Sequence, residues 1–196
     1  MQYLRGIEFY RNDRPSAITL GKFDGLHLGH ELLVERVAKH QEKDGVDGIV
    51  LAFDMSPLYQ KLKIEPDFLL TGAEKAKRLD GRVSYFIDCP FDEAISGMQA
   101  EEFVGKILVN QFHAKYVVVG DDFRFGYQKQ GDCRMLEECG GKYGFQVEVI
   151  PKKMYRGREI SSTYIKEELK KGNIELVNVL LGYDYLRIKE KTFDNR

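Results

Sequence analysis

The chain has 196 residues, 43% of them hydrophobic, which is enough for one domain with its own core. Its 30 basic and 31 acidic residues leave a net charge of −1, excluding both a generally basic nucleic-acid coat and a polyacidic tail. Aromatic residues at 12% exclude a disordered chain. Three cysteines, Cys89, Cys133 and Cys139, form no CxxC pair and read as reduced thiols rather than a disulfide framework or a zinc site. The N-terminus lacks the apolar stretch of a signal peptide, and no run approaches the ~20 apolar residues of a membrane helix. These features predict a cytoplasmic protein with no membrane or nucleic-acid partner.

Apolar runs alternate with helix-period stretches, the pattern of a parallel α/β sheet. The first predicted strand is Ala17–Leu20, followed by a helix from about Gly29 with Leu32, Leu33, Val37 and Ala38 on one face. Gly48–Phe53 is a near-continuous apolar run suited to a buried strand. A Pro-marked loop (Ser56-Pro57, then Glu65-Pro66) and a short helix over Ala73–Leu79 come next. The spacing then predicts a strand over Val83–Ile87, a helix over Ala100–Asn110 and a strand over Tyr116–Val119. A helix over Gly131–Lys142, a strand over Phe145–Ile150 and helices over Ser162–Lys171 and Ile174–Leu181 complete the series. One domain over 1–185 is expected, with a polar tail over 186–196, frayed or docked.

The unusual clusters fall at predicted strand ends, where open parallel sheets bind ligands. Gly21-Lys22-Phe23-Asp24-Gly25-Leu26-His27-Leu28-Gly29-His30 follows the first strand and opens the first helix. Glycines let backbone amides approach an anion, and the helix start adds positive potential. Two histidines three apart on the first turn suit hydrogen bonding to phosphate oxygens. The spacing is neither Walker A nor GxGxxG, and an isolated pair of this kind is more often capping or surface.

Gly120-Asp121-Asp122-Phe123-Arg124-Phe125-Gly126 crowds carboxylates, an arginine and two aromatic rings into a strand-end loop. It reads equally as an apolar wall for a planar ring, with Arg124 on a phosphate or on Asp121, and as a loop pinned by its own ion pair with its Phe rings in the core. The hydroxyl run Ser161-Ser162-Thr163, with Lys152, Lys153, Arg156, Arg158 and Lys166 nearby, suits both a helix cap and a triphosphate. Phe53-Asp54-Met55-Ser56-Pro57 marks only a turn. His40, His113 and the Glu101-Glu102 pair read as surface residues.

Taken in order, these clusters resemble the FAD synthetase (FMN adenylyltransferase) module of bacterial bifunctional riboflavin kinase/FAD synthetases. The matching segments include Gly21–His30, Phe53–Pro57, Leu69-Leu70-Thr71, Pro90-Phe91-Asp92, Val118–Gly126, Ile160–Thr163 and Leu180-Leu181-Gly182, so the likeness runs from about Ala17 to Tyr185. The His27-x-Gly-His30 element is shared by the wider nucleotidyltransferase superfamily, whereas Asp122–Gly126 and Ile160–Thr163 in this order are more specific. The resemblance implies a Rossmann-like parallel sheet with helices on both faces. It also implies adenylyl transfer from MgATP to FMN, giving FAD and pyrophosphate, with ATP and FMN as substrates and Mg²⁺ in support. By that resemblance His27, His30 and Lys166 are catalytic. Gly21, Phe23, Asp24, Gly25, Gly29, Ser161, Ser162 and Thr163 hold the nucleotide, and Phe53, Ser56, Pro57, Asp122, Arg124 and Phe125 line the flavin side.

Against the family pattern, Met55-Ser56-Pro57 lacks a histidine and the first of two prolines, Lys166 replaces an arginine, and Tyr164 stands where many members carry another. The first two changes remove an imidazole and a planar fork. They leave room for two rival readings: a nucleotidyltransferase with a different phosphorylated acceptor, and a catalytically weak flavin- or nucleotide-binding paralogue. The family's riboflavin kinase barrel would follow the equivalent of Leu180–Tyr185. A chain complete at Arg196 would depend on FMN made elsewhere, and one trimmed at the domain boundary would not. Asp24 and Asp121 are neighbours for Mg²⁺, but the metal ligands and the oligomeric state are left unassigned.

Overall fold

The computed structural model describes residues 1–193. Six strands form one parallel sheet: β1 (Gln2–Arg5), β2 (Ser16–Gly21), β3 (Asp47–Asp54), β4 (Tyr85–Pro90), β5 (Ala114–Gly120) and β6 (Gln146–Ile150). Their order is β1-β4-β3-β2-β5-β6. From β2 the chain builds outward through β3 to β4, then crosses back to lay β5 on the other side of β2. Strand order therefore reverses between β2 and β5, and the crevice beyond their carboxyl ends is where such a sheet takes ligands.

β2 is buried along its first five residues and β3 along its first six, as both faces of the sheet are covered. On one face, Ile18, Leu20, Leu51 and Val119 pack with Val104, Ile107, Leu108 and Leu136. On the other, Ala17, Val50, Ala52 and Val118 pack with Val34, Val37, Leu70 and Leu79. The expected two-sided α/β sheet is thus what the chain forms.

The helices are α1 (Leu28–Asp44), α2 (Ser56–Leu62), α3 (Gly72–Leu79), α4 (Glu93–Ser96), α5 (Ala100–Phe103), α6 (Cys133–Tyr143), α7 (Ser162–Lys170), α8 (Ile174–Leu181) and α9 (Tyr185–Phe193). Beyond α5 the rod continues as a π-helical segment over Val104–Gln111. A two-stranded hairpin, β7 (Met154–Tyr155) and β8 (Arg158–Glu159), turns at Arg156-Gly157.

Three expectations need correction. β1 has no counterpart in the predicted series, because four residues with polar ends carry no apolar run. Ser56-Pro57 opens a helix instead of a loop, since Pro sits in its first turn, where no intrahelical N–H is needed. The third predicted strand is shifted to Tyr85–Pro90; β1 ends at Arg5 opposite Asp88, so Pro90 lies past that neighbour and its missing N–H breaks no bond there. The segment from Leu186, expected as a frayed or docked tail, is helical through Phe193, with Ile188 packed on the core and Lys189 Nζ 3.0 Å from Glu74 Oε2. Residues 194–196 of that tail lie outside the described residues.

α3 begins with a capping box: Thr71 Oγ1 accepts from Glu74 N, and Glu74 Oε2 accepts from Thr71 N at 2.7 Å. Thr71→Ala is expected to cost about 1 kcal/mol, read as a lower urea midpoint at unchanged m-value. An unchanged midpoint would show that the box contributes nothing.

Candidate functional site

Beyond β2, the segment Lys22–Leu26 folds with φ of 49° at Phe23, 85° at Gly25 and 41° at Leu26. Left-handed backbone at Phe and Leu is strained, and both side chains are fully buried, so core packing holds the loop in this shape. At Gly25 an added Cβ would lie 2.7 Å from Leu69 Cδ1, so only glycine fits.

The loop delivers His27 to the N-cap of α1. Its Nδ1 accepts from Gly29 N at 3.2 Å and His30 N at 3.4 Å. Because Nδ1 is the acceptor, the proton of the neutral ring resides on Nε2, which is left as a donor. The His27 and His30 rings stack at 3.7 Å between centroids. Burial holds His27 down to about 4 against some help from Asp24. Burial, then the neighbouring His27 and Lys75, hold His30 well below its ordinary value. Both rings are neutral at physiological pH.

α7 approaches the same loop from the opposite side. Ser161 caps it by accepting from Tyr164 N at 3.2 Å, and Ser162 Oγ donates to the Asp24 carbonyl at 2.8 Å. Lys166 Nζ lies 2.7 Å from Asp24 Oδ2 and also donates to the Asp67 carbonyl. Asp24 Oδ1 accepts from Leu69 N at 2.8 Å. Asp24 therefore ties the glycine loop, α7 and the segment before α3 into one unit.

The result is a cavity of about 450 Å³. His27, Gly29 and His30 from one helix start and Ser161, Ser162 and Thr163 from another face into it. Both helix starts bring positive potential to it, which suits a phosphate chain. Lys22, Asp24, Asp122 and Lys166 also line it. A second cavity of about 220 Å³ shares Lys22, Asp24 and Tyr59 with the first and adds Phe53, Ser56, Phe68, Lys75 and Asp88.

Of the remaining predicted residues, Gly21 ends β2, while Phe23 and Gly25 shape the loop from behind. None of these three lines either cavity, and neither do Pro57, Arg124 and Phe125. Pro57 borders a separate shallow hollow with Phe91. Phe125 is buried in the core, stacked on Phe123 at 5.5 Å. Arg124 pairs with Asp132 at 3.0 Å, and Asp122 with Lys152 at 3.0 Å. Lys22, Tyr59, Phe68, Lys75 and Asp88 line the cavities without having been singled out from sequence. Lys75 did leave a trace, as a lysine beside Ala76 and Leu79 on the buried side of a short helix.

Asp24 and Asp122 are each neutralised by a lysine, and no group of three or more His, Cys, Asp or Glu suited to a metal occurs among the described residues. These side chains do not form a cage for a resident ion. Among the described residues no helix is long and apolar enough to cross a membrane.

The architecture is that of the Rossmann-like α/β class, with its site where that class binds ligands. Residues 10–164 match the FAD synthetase family, and the chain belongs to that family. It is 34% identical over 186 residues to the bifunctional riboflavin kinase/FMN adenylyltransferase of Buchnera aphidicola (subspecies Schizaphis graminum), covering 93% of this chain and 60% of that protein. With the protein of the same description from Escherichia coli K12 it shares 31% over 189 residues, 94% of this chain and 60% of the relative. The chain thus spans about 60% of the length of the curated relatives it matches. A crystal structure described as a macrolide-efflux protein from Streptococcus pneumoniae superposes with a TM-score of 0.78 at 26% identity, over 92% of this chain and 60% of that one.

Proposed function

We propose that this protein transfers the adenylyl group of MgATP to FMN, releasing FAD and pyrophosphate. The observation that carries the reading is the meeting of a stacked, neutral histidine pair with two helix N-termini in one cavity at the strand switch point. Membership of the FAD synthetase family, and the FMN adenylyltransferase description of its relatives, support FMN as the acceptor.

In the reaction an oxygen of the FMN phosphate attacks the α-phosphorus of ATP in line. The new P–O bond forms as the bond to the β-phosphate bridging oxygen breaks, and its electron pair leaves with pyrophosphate. FMN supplies the nucleophile, so the protein contributes position and charge stabilisation. His27 donates from Nε2 to an oxygen of the α-phosphate, and His30 lies against it in the same wall. The amides at the start of α7 and the Ser162 and Thr163 hydroxyls receive the phosphate chain. Lys166 exchanges its bond to Asp24 for a phosphate oxygen. Mg²⁺ enters with the triphosphate as part of the substrate, in keeping with its preference for phosphate and water ligands.

The test is chromatography of flavins after incubation with MgATP and FMN, with a panel of other nucleotides and phosphorylated acceptors in parallel. FAD appearing in stoichiometric step with pyrophosphate is the expected result. Product from another acceptor, with none from FMN, would replace the reading by that of a related nucleotidyltransferase.

A further inference from the structure

The smaller cavity contains a cation that the chemistry above does not use. Lys75 is 6% exposed, and its ammonium makes one hydrogen bond, to the Lys22 carbonyl at 3.2 Å. Among the described residues two of its three protons have no acceptor, and no carboxylate comes within ion-pairing distance. Burial pulls Lys75 below its ordinary value, while Asp88, Asp24 and Asp54 act from further off to keep it charged. Asp88 is 9% exposed; its Oδ2 accepts from the Tyr3 hydroxyl at 3.3 Å, and its buried Oδ1 has no partner. A buried, under-bonded cation in a cavity wall is costly to maintain and marks a place where a ligand completes the bonding.

The surroundings narrow the ligand. Phe53, Tyr59 and Phe68 line the same cavity, with Tyr59 and Phe68 stacked at 5.5 Å, which suits a flat conjugated ring. Asp54 and Asp88 line this cavity with Lys75, Asp88 buried and closest in influence, and the helix-start cavity already offers phosphates a place. A neutral, electron-rich acceptor on a planar ring fits both conditions.

Building on the proposed FMN adenylyltransferase activity, we propose that Lys75 donates to the N1–C2 carbonyl edge of the FMN isoalloxazine ring in the smaller cavity. It thereby acts as a specificity determinant for the acceptor. Asp88 is a positioning residue, holding charge beside the ammonium without touching the flavin.

The experiment compares FMN with 2-thio-FMN, whose C2 oxygen is replaced by the weaker acceptor sulfur, in wild-type protein and in Lys75→Met. KM for each flavin and for ATP, flavin-fluorescence titration and melting temperature are recorded. Wild type should lose about tenfold in KM and affinity on going to the thio analogue, the scale of a charged hydrogen bond. Lys75→Met should lose about tenfold or more for FMN, show little difference between the two flavins, and keep its KM for ATP within about twofold. Lys75→Gln, which retains reach and a donor, should recover part of the oxygen–sulfur difference and supplies the comparison if the Met variant does not fold. Equal sensitivity to sulfur in wild type and variant would overturn the inference, as would a wild type indifferent to sulfur. A rise in KM for ATP alone would assign the cavity to adenine and also overturn it. FAD formation by wild type alongside any of these leaves the functional reading intact; no FAD and no FMN binding by wild type would remove both.

Discussion

Alanine at His27 or His30 is expected to lower the rate of FAD formation by roughly a hundredfold to a thousandfold, the usual cost of removing one pre-oriented donor to developing phosphate charge. The effect on folding should be much smaller. His27 caps α1 through Nδ1, so His27→Ala forfeits a cap worth about 1 kcal/mol. His27→Asn separates the two roles, since its side-chain oxygen still accepts from the helix amides while the Nε2 donor is gone. Stability near wild type with turnover as low as in the alanine variant would locate the effect in the chemistry. His30→Ala removes a ring lying between His27 and Phe23, 3.7 and 5.0 Å away between centroids, so its melting temperature must be recorded with its rate. Near-normal turnover in the double alanine variant would eliminate both proposed roles.

The same pair should make the protein acid-sensitive. Folded His27 titrates at about 4 against an ordinary 6.5, chiefly because burial penalises the charged ring. Between these values the unfolded chain takes up a proton that the folded ring refuses. Its contribution to stability is therefore complete above pH 6.5 and is lost as the pH falls towards 4. At 1.36 kcal/mol per pH unit the loss is roughly 3 kcal/mol, and His30 acts in the same direction. Urea unfolding at pH 7, 5.5 and 4.5 measures it. Carboxylates titrate in part of this window too, so the comparison is with His27→Asn, whose stability should fall less steeply. Parallel profiles for the two proteins would contradict the assignment. Activity, by contrast, should change little between pH 8 and 6 through these rings, as both remain neutral there.

Much of the framework was legible because central strands of a parallel sheet are buried on both sides and must be continuously apolar. Ala17–Leu20, Gly48–Phe53 and Tyr116–Val119 declare themselves in that way, and the strand ends then locate the glycine–histidine loop and the hydroxyl cap. Elements held by few apolar side chains were not legible. β1 is four residues long, and α9 relies on Ile188 packing and a Lys189–Glu74 contact 115 residues apart, which no local pattern reports. Within the site, composition left the Asp122–Phe125 loop open between a ring-binding wall and a pinned core loop. Phe125 lies in the core, and Arg124 bonds Asp132 instead of Asp121. Lys75 and Asp88 escaped because their significance lies in burial beside one another, a property of the assembled sheet.

The glycine loop after β2 is also held from the far end of the chain. The Tyr183 hydroxyl donates to the Gly25 carbonyl at 2.7 Å, and Leu181 lies where a side chain at position 25 would go. Residue 183 is 158 positions downstream of residue 25. During synthesis the glycine loop therefore acquires its last support only after nearly the whole described chain has been made. Closing so long a span is slow in a parallel fold. The final shape of the loop then becomes a late event in maturation, and products interrupted before α8 would carry the histidine motif without its last support.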